Sequence, residues 1–278
     1  MPITRWPQAA LIALAWLGLA ACAGLAPPID APAKEAPAID ARAKEALAPT
    51  GTLRVALYPG SPTSLVRDPV SGELKGVGLD LGRAMAERLG VPFERVEFPN
   101  NAQALEAVKT ASADFAFTNA TAARAKDMDF SPPVLGVEQG YLVARGSTLT
   151  IDAVDRPGIR VGVTKASSTE RALAKELKAA TMIAVPTIKA GGEMLVAGTL
   201  DAFATNKAIL FEMSDGLPGT RVLEGRYGLE SFAIAVPKGR EAGGAWLRQF
   251  VEDAKSAGVV KRAVDRAGLR GTVEAANP

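Results

Sequence analysis

The residues best placed for chemistry lie in Ala113–Pro133, which reads Ala-Asp-Phe-Ala-Phe-Thr-Asn-Ala-Thr-Ala-Ala-Arg-Ala-Lys-Asp-Met-Asp-Phe-Ser-Pro-Pro. The run Asp114–Phe117 predicts a short buried strand, and Thr118–Arg124 a turn that enters one helical turn. Thr121 is suited to cap that turn, because its hydroxyl accepts a bond from an orphan backbone N–H. Arg124 then sits in the first turn, the wrong end of the helix dipole for a cation, at a cost of roughly 0.3–1 kcal/mol. A guanidinium fixed beside free N–H groups makes a pocket for a planar anion, most naturally a carboxylate held by two parallel bonds. The competing reading is a surface pair from Arg124 to Asp127 or Asp129, which contributes little.

Two further groups of polar residues stand in comparable places. Ser167 with Glu170 has the spacing of a capping box, after the apolar run Ile159–Val163. The helix N-terminus it caps is also an anion site. Asp114-Phe-Ala-Phe-Thr118-Asn119 and Asp201-Ala-Phe-Ala-Thr205-Asn206 share the pattern Asp-x-x-x-Thr-Asn, each after a short helical stretch. Such pairs fit the ends of equivalent strands facing each other across a cleft, since open α/β sheets bind ligands at the carboxyl ends of their strands.

The elements that must position these residues alternate. Strands are expected at Thr52–Leu57, Phe93–Phe98 and Asp114–Phe117, with helices to about Leu89, carrying Leu81, Met85 and Leu89 on one face, and over Ala102–Lys109. The order recurs with strands Ile159–Val163, Thr181–Val185 and Asp201–Ala204, and helices Ser167–Leu177 and Gly192–Ala197. Such alternation means α/β lobes with mostly parallel sheets. Extended apolar runs at Tyr141–Gly146 and Ser231–Val236 are candidate crossings between the lobes, and helices Ala245–Ser256 and Val259–Ala267 close the chain.

Composition narrows the chemistry. The 278 residues contain no histidine and one cysteine, Cys22, and carry a net charge of +2. Ser–His and Cys–His catalysis are excluded, no metal site or cofactor is expected, and nothing points to nucleic acid. Arg5 precedes an apolar run from about Ala9 to Ala21 that is too short to span a bilayer as a mature helix. It ends in Leu19-Ala20-Ala21-Cys22, which resembles a bacterial lipobox, so residues 1–21 are expected to be a signal peptide and Cys22 the lipidated residue. Residues 22–50, with Ala26–Glu35 nearly repeated as Ala36–Glu45, are expected to be an Ala/Pro-rich tether without a hydrophobic face.

The order Thr118-Asn-x-Thr-x-x-Arg124-x-x-x-Met-Asp-Phe-Ser131-x-Pro resembles the signature of the family 3 extracellular solute-binding proteins, the polar amino-acid receptors of ABC importers. The resemblance covers about Gly51–Gly271. It implies a periplasmic-binding-protein type II-like (Venus flytrap) fold, with two lobes and two interlobe crossovers. Lobe 1 would be residues 51–143 plus 233–278, and lobe 2 residues 144–232. It further implies that Arg124 grips the ligand's α-carboxylate, with Ser168 adding a backbone N–H from the other lobe. Phe117, Thr118, Asn119, Thr121, Ser167, Asn206, Tyr58 and Ser61 complete the candidate ligand-binding set.

This sequence departs from the family's pattern in several places. Asn206 stands where an acidic residue usually receives the α-ammonium, and a neutral amide loses most of that charge attraction. Replacing Asn206 by aspartate is therefore expected to improve amino-acid binding. Asn119 replaces a threonine or serine, and Ser61 and Ala102 stand where aromatic walls are common, leaving Tyr58 as the nearest aromatic. Lys207 is either a cleft residue or plain surface. Glu138, Gln139 and Glu230 read as solvated hinge residues rather than cleft lining.

The function expected is capture of a small carboxylate-bearing, amino-acid-like ligand and its delivery to ABC permease subunits, by a monomer lipid-anchored outside the cytoplasm. The rivals are a cyclohexadienyl-dehydratase-like enzyme using Glu230 or Glu138, and a sensory lipoprotein with a degenerate cleft.

Overall fold

The expected alternation is realised in a computed structural model that describes residues 41–273. The first part contains α1 (Ala41–Leu47), β1 (Leu53–Leu57), the small ladder β2 (Val66–Arg67) and β3 (Leu74–Lys75), α2 (Val77–Leu89), β4 (Phe93–Glu97), α3 (Asn101–Lys109) and β5 (Ala116–Asn119). A single 3₁₀ turn, Arg124–Lys126, leads to β6 (Met128–Phe130) and the long β7 (Leu135–Ala144). Then come β8 (Arg160–Thr164), α4 (Ser168–Glu176), β9 (Thr181–Val185), α5 (Ile188–Val196), β10 (Ala202–Asn206), α6 (Lys207–Gly216) and β11 (Thr220–Val222). The long β12 (Gly228–Pro237), α7 (Gly244–Ser256), α8 (Val259–Arg266) and β13 (Thr272–Val273) complete the described chain.

Each lobe is built on three parallel strands, closed on one side by an antiparallel one. In the first, β1 pairs with β4 and bridges to β5 through Val55 and Phe115, and β12 runs antiparallel to β5. In the second, β8 pairs with β9 and β10, and β7 runs antiparallel to β10. The crossover strands β7 and β12 lie side by side, pairing Leu135–Gln139 with Gly228–Phe232. Both start several residues earlier than their apolar runs suggest. The helix face predicted from Leu81, Met85 and Leu89 is fully buried against the first sheet.

The lobes repeat one another down to individual bonds. The Asp114 carboxylate accepts from Arg54 backbone N (3.0 Å), Nε (2.8 Å) and Nη2 (2.9 Å), while Arg54 Nη2 also reaches Ala111 O (2.8 Å). The Asp201 carboxylate accepts from Arg160 backbone N (2.8 Å), Nε (2.9 Å) and Nη2 (2.9 Å), and Arg160 Nη2 reaches Gly198 O (2.8 Å). Asn100 and Thr187 cap the helices that precede each aspartate. The repeated Asp-x-x-x-Thr-Asn is thus one strand with a bidentate ion pair at its start and a polar pair at its end. The copies differ at one strained point. Ala111 has φ 56°, whereas its counterpart Gly198 has φ 69°, and the left-handed region costs a residue with a Cβ about 1–2 kcal/mol. Ala111→Gly is therefore expected to raise stability by up to about 1 kcal/mol, some of the gain being offset by unfolded-state freedom. Chemical denaturation reads it directly, and a loss of stability would refute the strain.

The tether boundary at residue 50 needs correction. Residues 41–47 form α1, and Ala43 and Leu47 are fully buried. A Cβ at Gly243 would lie 2.6 Å from Leu47 Cγ, and Arg240 Nη1 donates to Leu47 O (3.1 Å). The reason lies in the repeat itself: Pro32 of the first copy is Arg42 in the second, and removing proline frees a helix whose positions 43 and 47 share a face. The signal peptide, Cys22 and the tether before residue 41 lie outside the described residues.

At the other end the chain returns across both lobes. After α8, Arg270 pairs with Asp215 and lies over Phe211 of α6, at 4.6 Å from the ring centre. Gly271 packs against Lys207, and β13 then pairs with Gly136–Val137 of β7.

Candidate functional site

The ends of β5, β8 and β10 and the strand β12 meet around a cavity of about 390 Å³ lined from both lobes. Arg124 enters it from the 3₁₀ turn and is 7 % exposed. Its Nη1 donates to Thr118 Oγ1 (2.9 Å) and to Asn119 O (2.9 Å), and its backbone N donates to Thr121 Oγ1 (3.3 Å). The surface-pair reading fails, because Asp127 pairs with Lys109 (3.4 Å) and Asp129 with Lys238 (2.6 Å). Arg124 Nε is buried with no partner. Burial pulls the Arg124 pKa below its ordinary value, and the negative charge of Glu230 opposes that. A guanidinium titrates so high that the group stays cationic.

Of the candidate residues, Tyr58, Thr118, Asn119, Ser167, Ser168 and Asn206 all line the cavity with Arg124. Ser167 Oγ caps α4 by accepting from Glu170 N (3.0 Å), and the Glu170 carboxylate reaches back to Ala166 N (2.6 Å). Burial raises the Tyr58 pKa, so the ring stays neutral beside its charged neighbours.

Three candidates lie elsewhere. Phe117 points into the core, its ring 5.5 Å from that of Phe232, and it is Phe232 that faces the cavity. Ser61 is fully buried within its own turn, bonded to Thr63 (2.7 Å). Thr121 holds the backbone of Arg124 and is not part of the wall. Lys207 is neither surface nor cleft, for it is buried and its Nζ lies 2.8 Å from Glu138. Glu138 also binds Arg226 (3.0 Å), and the two cations hold its carboxyl below the usual range.

The main correction concerns Glu230. It is no solvated hinge residue: it is 4 % exposed on the cavity wall. Its Oε1 accepts from Asn119 Nδ2 (2.8 Å), Gln139 Nε2 (3.3 Å) and Ser168 Oγ (2.8 Å), and its Oε2 from Asn206 Nδ2 (3.2 Å). One carboxylate thus ties the first lobe, the second lobe and a crossover together. A signal was present in the sequence. Glu230 and Phe232 share one face of a mostly apolar strand, and a buried acid in such a place requires partners. Asn206 also has two tasks, since its Oδ1 caps α6 by accepting from Ile209 N (3.2 Å) while its Nδ2 serves Glu230. An aspartate there would set a second carboxylate against the first, which reverses the gain expected from Asn206→Asp.

Two α/β lobes joined by paired crossover strands, with a cavity between them, define a ligand-binding protein of the type II periplasmic class. The chain belongs to the bacterial extracellular solute-binding proteins, family 3, whose model matches residues 53–268. Among its relatives, the L-arginine-binding protein of Pseudomonas aeruginosa is 26% identical over 202 residues, covering 67% of this chain and 76% of the relative. The ABC transporter glutamine-binding protein GlnH of Bacillus subtilis is 23% identical over 197 residues, covering 69% and 72%. An ancestral arginine-binding protein solved with glutamine bound is 25% identical, with a TM-score of 0.69 over 80% of this chain and 98% of that one.

Proposed function

We propose that this solute-binding protein captures an amino acid between its lobes and hands it to an ABC importer, held at a bacterial membrane by lipid on Cys22. The observation that carries the reading is Arg124, whose one arm is fixed by Thr118 and Asn119 while its buried Nε lacks a partner. A guanidinium so held is ready for a ligand carboxylate, and Ser167 and Ser168 bring the N-terminus of α4 to the opposite side of the same space. The named substrates of the relatives, arginine and glutamine, are molecules of this kind.

A thermal-shift screen of the protein against the L-amino acids tests the proposal. A ligand at about 100 times its Kd adds roughly 2.7 kcal/mol, a rise of roughly 5–10 °C for a chain of this size. A flat response to every amino acid would overturn it. The buried carboxylate of Glu230 also prompts a second reading, acid–base elimination on the same scaffold. Prephenate is expected to show no loss on incubation with the protein, and turnover would establish the enzyme instead.

A further inference from the structure

Two opposite charges are buried on the wall of one cavity without touching each other. Arg124 meets only a hydroxyl and a carbonyl, and Glu230 meets only three amides and a hydroxyl. Neither belongs to an ion pair among the described residues, so each charge has left water without a countercharge in contact, a costly arrangement. The donors on Glu230 are unevenly spread. Its Oε1 receives three and its Oε2 one. A carboxylate offers about four acceptor positions, two on each oxygen. Oε2 therefore keeps room for another donor, beside Asn206. Asn206 cannot turn away, because its carbonyl caps α6.

We infer, building on the amino-acid reading above, that Glu230 receives the ligand's α-ammonium while Arg124 takes its carboxylate, and that the cavity admits amino acids whose side chain carries no positive charge. A neutral amide at 206 suits this arrangement, because it donates to Glu230 where a second carboxylate would repel it. The second half of the inference rests on the rest of the wall. Glu230 is its sole acid and Arg124 its one buried cation, for the Lys189 ammonium at the rim is turned to solvent beside Glu193. A guanidinium or ammonium on the ligand side chain would be desolvated without a countercharge. Pro59, Ile188, Ile209 and Phe232 offer apolar surface instead.

Calorimetric titration of the full chain tests both halves. The probes are L-leucine, L-glutamine, L-arginine and L-lysine, with 4-methylpentanoate and 4-carbamoylbutanoate as the first two lacking their amino group. Leucine or glutamine is expected to bind, with its amino-free partner on the order of 100-fold weaker, and arginine and lysine at least about tenfold weaker than the better neutral ligand. In Glu230→Gln the preference for the amino form should fall towards unity, a change that a loosened fold, weakening both probes alike, does not produce. Asn206→Asp alone should weaken binding, and Asn206→Asp combined with Glu230→Gln should regain part of the amino preference. Arginine or lysine as the tightest ligand would overturn the side-chain assignment. An intact amino preference in Glu230→Gln, or equal binding of leucine and 4-methylpentanoate, would overturn the ammonium assignment while leaving amino-acid capture standing. If no probe binds, amino-acid capture fails and this inference fails with it.

Discussion

Asp114→Ala should cost about 3–5 kcal/mol of folding stability, the largest effect expected of any single side chain outside the apolar core. Asp114 is fully buried and receives two guanidinium groups, from Arg54 at 2.8 Å and Arg240 at 2.9 Å. Removing the carboxylate leaves Arg240, itself 8 % exposed, as an uncompensated buried cation. Arg240 also holds α1 through Leu47 O, so the damage should spread to the N-terminal segment. The duplicated lobe supplies the control. Asp201 makes the same bonds to Arg160, but its side chain is 29 % exposed and a single arginine faces it, so water screens the loss and Asp201→Ala should cost clearly less. Urea unfolding of both variants decides the matter. Equal costs would mean that burial and the second arginine contribute nothing.

Arg124→Ala should lower affinity for whichever amino acid binds on the order of 100-fold or more, while the protein still folds. Truncating one partner of a buried charged pair costs about 2–5 kcal/mol in binding, and every hydrogen bond that Arg124 makes within the protein serves to aim it. Arg124→Lys should fall almost as far, since a lysine keeps the charge but not the planar fork. Titration of both variants, with a melting curve of each as the folding control, checks this. Unchanged affinity in Arg124→Ala would remove the carboxylate from that end of the cavity.

Much of this site could be read locally, and the parts that could not have a common cause. Arg124 announced itself because a cation at the start of a helical turn needs a reason, and the Thr121 cap lay three residues away. The two lobes showed in the repeated Asp-x-x-x-Thr-Asn. Glu230 remained hidden because its partners come from four other places in the chain, Asn119 being 111 residues distant. Asn206 alone looked like a loss of function, and only beside Glu230 does it become a rearrangement. Phe117 belongs to the candidate ligand-binding set but not to the cavity wall. In a strand buried on both faces, adjacent residues point opposite ways, and Phe117 turned to the core. The helix Ala41–Leu47 was hidden by its resemblance to the proline-containing copy before it.

The returning C-terminal segment bears on how the lobes can move. Two paired strands make a ribbon that both bends and twists. Here β7 is flanked at the crossover by β12 on one side and β13 on the other, so the joint is a strip three strands wide. A wider strip stiffens against bending within its own plane far more steeply than against bending out of that plane. Bending out of the plane of that strip is therefore the expected relative motion of the lobes, with the bonds from Ser168 and Asn206 to Glu230 as the contacts it makes or breaks.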